Sequence, residues 1–196
     1  MNPLGMIISF APWLVLKILT SIPILDPLTR LKTALVIAIL ICLFQSRNAV
    51  KGFIFWGTIS FFAFSFVTVV LMTNLWVINH LGLLSQLTMS AIVWGSILFR
   101  RPFTIDYAKQ HVPPERWNHP AFLRKNYLIT GIWGCYFLLG VAISEIRIYE
   151  PQVSHLLLEV LDNASMLAII LFTSHASQKR TVSASSGGGQ DTQAAD

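Results

Sequence analysis

The chain has 196 residues, of which 54% are hydrophobic and only 12% charged, with a formal net charge of +5 and a mean hydropathy of +0.63. A soluble domain of this length carries about a quarter charged residues to solvate its surface. A water-soluble globule is therefore excluded, and lipid has to cover most of the exterior. The cations sit between apolar stretches and form no continuous basic face interleaved with aromatics, which argues against a nucleic-acid partner.

Six apolar segments follow in chain order, each near the ~20 residues a helical span requires. The first, 5–23, contains Pro12 and Lys17; with no basic n-region and no A-x-A site it reads as a retained helix. The second, 27–44, is short, and Arg30 and Lys32 at its start can snorkel to the headgroups. The third, 53–73, has no charge at all, and the fourth, 80–99, has Gln86 as its main polar interruption. The fifth, 127–144, carries Gly131, Gly134 and Gly140, and the sixth, 154–173, carries Glu159, Asp162 and Asn163. Residues 174–196 are small and polar and are expected to form a disordered cytoplasmic tail. The expected fold is all-α: a polytopic transmembrane helical bundle of five or six spans. The count depends on whether Pro12 and Lys17 let the first segment cross or hold it re-entrant.

Orientation follows from Lys and Arg. With six spans, one side holds Arg47, Lys51, Arg100, Arg101, Lys109, Arg116, Arg124, Lys125, Lys179 and Arg180, and the other holds Arg30, Lys32 and Arg147. Ten against three places the first side, and the C-terminus, in the cytoplasm.

Two groups of residues stand out. The loop 100–126 combines Arg100 and Arg101 with Phe103, Tyr107 and Trp117. Phe103 and Tyr107, four apart, would share a face of a short helix lying on the membrane, ended by Pro113 and Pro114. It reads as a topogenic interfacial connector or as a docking surface for a partner protein or lipid. The second group is the intramembrane polar cluster Lys17, Glu159, Asp162 and Asn163. Run in opposite directions, the first and sixth segments bring Lys17 level with Glu159 and Asp162, so a pair clamping first helix to last is expected. Glu159, Asp162 and Asn163 are placed on one stripe by their three- and four-residue spacing.

The remaining signals point to construction. Ala91 and Gly95, four apart, together with the glycines of the fifth segment, offer close helix packing. Cys42 and Cys135 read as small buried side chains, and no His/Cys/Asp/Glu spacing matches a metal set. His80 and His155, at span ends, do not suit haem ligation. No nucleophile-elbow, phosphate-loop or dinucleotide motif occurs, and Asp106 and Glu115 read as counter-charges in a basic loop. No enzyme and no cofactor is expected.

The order of these features is familiar. Phe10 to Ile18 (FAPWLVLKI), Arg100-Arg101-Pro102, and then Trp117, Asn126, Trp133 and Gly140 resemble, over about 7–178, the bacterial intracellular septation family. Its members are small inner-membrane proteins implicated in envelope synthesis and division. The resemblance implies a multi-pass protein of the bacterial inner membrane whose partners are the lipid bilayer and other envelope-synthesis or division membrane proteins; it supplies no catalytic residue. The chain departs from that family in a longer 101–126 stretch, an uncharged 73–80 connection and the Ser/Gly tail. The rival expectation is a small transporter or channel subunit with a polar path through Lys17, Gln86, Glu159, Asp162 and Asn163.

Overall fold

A computed structural model describes residues 8–22, 26–47, 52–150 and 152–185, without the side chains of His111 and 176–185. Residues 5–7 and Pro23 of the first segment, Lys51, the tail 186–196 and the side chains of Lys179 and Arg180 lie outside the described residues. Among the described residues there are seven α-helices: α1 (Ala11–Ser21), α2 (Pro27–Gln45), α3 (Phe53–Ser65), α4 (Leu75–Leu98), α5 (Thr104–Ala108), α6 (Pro120–Tyr149) and α7 (His155–Ser185). A π-helical turn, Phe66–Leu71, continues α3. No strand occurs among the described residues.

Among the described residues five helices are long and apolar enough to cross a membrane: α2, α3 with its π turn, α4, α6 and α7. At 11 residues, α1 is about 17 Å long, well short of a ~30 Å hydrocarbon core. It nevertheless runs antiparallel to α2 over much of the same depth. Gln45 at the end of α2 donates to the carbonyl of Ile8, and Arg30 at its start donates to the carbonyl of Ile22 at 2.9 Å. Pro12 sits in the first turn of α1, where a missing N–H costs nothing. Trp13 then fastens α1 to α3, stacking on Phe61 at 4.7 Å and donating from Nε1 to Thr58 Oγ1 at 2.9 Å. On the α2 side, Ala34 and Ala38 are one turn apart and fully buried, which lets the backbones approach closely.

Several helix limits differ from those expected, because polar caps set the ends and apolar content does not. α4 begins at Leu75, where Asn74 Oδ1 accepts from the backbone N–H of Val77 at 3.1 Å. α6 begins at Pro120, capped by His119 Nδ1, so 120–126 is helix and not loop. α7 continues to Ser185, so 174–185 is helical where a disordered tail was expected. α4 ends in a Schellman motif: the N–H of Arg101 reaches the carbonyl of Ser96, and that of Arg100 reaches Ile97. Arg100 therefore takes the left-handed conformation, at φ 55°.

The most extensive packing joins α4 to α6, and of the expected glycines Gly134 and Gly140 serve it while the other two do not. Gly95 and Gly131 face open space, whereas a side chain at Gly134 would run into the Trp94 ring, and one at Gly140 into the Gln86 amide. α7 packs chiefly on α6 and leaves Leu156, Leu157, Val160, Leu167 and Leu171 exposed. Such a face suits lipid.

Candidate functional site

α1, α4, α6 and α7 enclose a cavity of about 690 Å³, with Arg30 and Leu31 of α2 at one edge. That volume lies within the range of small-molecule sites. Lys17 of α1 reaches across it, and its Nζ donates to Asp162 Oδ2 of α7 at 2.8 Å. Met166, one turn further along α7, places its sulfur 4.0 Å from the same nitrogen. This salt bridge ties α1 to α7. An isolated charge at this depth is costly, and the pair neutralises both.

The rest of the expected cluster divides. Glu159 lines the same cavity, on the α7 stripe that continues through Asp162, Met166 and Thr173. Asn163 does not: it is exposed and lies outside the lining. Its neighbour Asp162 points inward, and one residue along a helix turns the side chain by ~100°. Gln86 does line the cavity, held against Gly140. The polar path expected of Lys17, Gln86, Glu159 and Asp162 is therefore brought together without Asn163. Asp162 Oδ1 is buried and carries no hydrogen bond, and Tyr136 of α6 lies beside it.

The two ends of the cavity differ. Toward the basic loops, Phe10 stacks on Trp133 at 5.5 Å and meets Phe103 edge-on at 6.4 Å. Trp133 Nε1 donates to Thr173 Oγ1 at 3.1 Å, and both residues are buried. These aromatics close that end. At the opposite end the lining is exposed at Ser21, Arg147 and Glu159. Among the described residues the cavity is a pit with aromatics packed at one end and a charged mouth at the other.

The basic loop departs from expectation. Phe103 and Tyr107 do share a face, but it points into the bundle: they are 1% and 5% exposed. The Phe103 N–H donates to Ser96 Oγ at 3.2 Å, and Thr104 Oγ1 bonds both the Asn126 carbonyl at 3.0 Å and Thr130 Oγ1 at 2.9 Å. Tyr107 bonds the Ser9 side chain. These bonds draw α5 into the end of the bundle instead of laying it on the membrane. Trp117 folds back as well, donating from Nε1 to the Val112 carbonyl at 2.8 Å beneath Lys109 Nζ at 4.9 Å. Only the cations Arg100 and Arg101 stay exposed among the expected interfacial residues. Asp106 lies half-buried against Gly52, and that burial raises its carboxyl pKa above the ordinary value, with Lys109 and Arg101 pulling it back.

Comparison with family models, with curated proteins and with solved structures finds no match. The likeness to the septation family rests on the residues quoted above alone.

Sequence reasoning missed the buried polar group Ser96, Thr104, Asn126 and Thr130 and the aromatic closure at Phe10. Asn126 and Thr130, one turn apart on α6, were the available signal. Their partner Thr104 lies in a connection where no periodicity operates. Cys42 is buried as expected, but Cys135 is exposed on the outer face of α6. His80 is taken up by Trp76, whose carbonyl lies 2.8 Å from Nδ1.

Proposed function

We propose that the protein is a multi-pass component of the bacterial inner membrane that binds a small ligand in its intramembrane cavity, acting without catalysis as a transport or delivery subunit. The observation that carries this reading is the pit of about 690 Å³ spanned by Lys17–Asp162. A bundle built only as a scaffold gains nothing from placing two charges and the Gln86 amide on a void, since filled packing is worth more. Closure at one end and exposure at the other is the geometry of one state of a binding cycle, with α7 as the helix least held by its neighbours.

The inner-membrane assignment is supported by the septation resemblance, and the Lys and Arg bias supports an orientation with the mouth on the outer side. The envelope-assembly role implied by the septation resemblance fits here as the process such a ligand serves. With Phe103 and Tyr107 buried, partner contacts fall to the exposed Arg100 and Arg101.

Native mass spectrometry of the full-length protein released from its membrane tests the reading. The wild type is expected to retain an adduct that Ser144→Trp, which fills the pit, loses at unchanged Tm. Adducts identical in both, or absent from the wild type, contradict it.

A further inference from the structure

Resting on the cavity reading, we infer that the ligand is a phosphate-bearing amphiphile, its anionic group held at the mouth by Arg30 and Arg147 and its apolar chain in the pit. Five charged side chains line the cavity: Lys17, Arg30, Arg147, Glu159 and Asp162. Lys17 and Asp162 neutralise each other at 2.8 Å. What remains at the exposed mouth is two guanidinium groups against the single carboxylate of Glu159, and none of the three has an ion partner among the described residues. Arg30 uses one N–H on the Ile22 carbonyl at 2.9 Å, and its other donors stay available. Guanidinium donors match phosphate oxygens in paired geometry, and in a low-dielectric rim such bonds are strengthened.

The depth of the pit is of the opposite character. Below Lys17 the walls are mainly apolar, formed by Phe10, Trp133, Phe137 and Met89 and interrupted by Gln86 and Thr173, and the buried Phe103 backs the floor. A mainly apolar sleeve under a cationic rim matches a molecule with a chain and an anionic head. A free polar anion would leave the sleeve empty, and a wholly apolar ligand would leave the rim unused.

Trp13 and Trp133 line the cavity, so the full-length protein in amphipol reports binding through its own fluorescence. The probes are dodecylphosphocholine, dodecyl maltoside and dodecyltrimethylammonium below their micelle concentrations, and inorganic phosphate. Dodecylphosphocholine is expected to bind at least ~10-fold tighter than the maltoside or the ammonium. The Arg30→Gln/Arg147→Gln variant should lose that preference while binding the maltoside as before. Equal affinity for phosphate and neutral heads, or a preference that survives in the variant, overturns the phosphate assignment and leaves the cavity reading standing. Tight binding of inorganic phosphate alone overturns the requirement for a chain. Absence of any response to all four probes overturns both.

Discussion

Lys17 is 39% exposed and Asp162 17%, so the pair sits at the cavity wall and not in a sealed core. Its worth is set by what happens when one partner goes. Lys17→Ala leaves a charged Asp162 facing apolar walls and should cost about 1–2 kcal/mol, whereas the double variant with Asp162→Ala should recover about 1 kcal/mol of that loss. Unfolding in lipid, run as a double-mutant cycle, measures it, and strictly additive losses would remove the clamp. This pairing was legible in the sequence, because helix direction and residue count alone put Lys17 level with residues 159–162. The choice of Asp162 over Glu159, and the exclusion of Asn163, depended on the rotation of α7 about its own axis. Packing against α6 fixes that angle, and the apolar composition of α7 is too uniform to reveal it. Asp106 supplies a second test. Its carboxyl is harder to ionise folded than unfolded, so it costs stability at neutral pH, and the cost fades as pH falls into the ordinary carboxylate range. Asp106→Asn is expected to raise Tm at pH 7 and to leave it unchanged near pH ~3.5. A gain that persists at low pH would point to packing and not to charge.

At the scale of elements, the spans were readable because lipid demands long apolar runs, and all five long helices fall on segments taken from hydropathy. The connections were not readable. The loop after α4 looked amphipathic, yet its aromatics turn inward because Ser96, Thr104 and Asn126 give its backbone and hydroxyls partners inside the bundle. Arg100-Arg101-Pro102, which drew attention as a motif, is in physical terms a helix stop: a left-handed residue, its Schellman partner and a proline. A side chain in that left-handed region is strained by about 1 kcal/mol relative to glycine. Arg100→Gly should accordingly raise stability by about 0.5–1 kcal/mol in thermal unfolding. A loss would show that the Arg100 side chain makes a contribution larger than the backbone strain.

For the whole molecule, α1 matters more than its length suggests. It is too short to span alone, yet it supplies Phe10 to the closed end, Trp13 to the α3 interface and Lys17 to the cavity wall. Among the described residues the bundle packs aromatics at its basic end and exposes a charged mouth at the other, and the proposed orientation turns that mouth outward. The measurement that tests this most directly is one-sided thiol labelling. With both native cysteines replaced (Cys42→Ala, Cys135→Ala), Ser85→Cys places a thiol on the α4 wall of the cavity. A membrane-impermeant methanethiosulfonate added to right-side-out vesicles is expected to label it quickly, and the same reagent confined to the cytoplasmic face is expected not to. Labelling only from the cytoplasmic face, or from neither, would contradict a pit that opens outward.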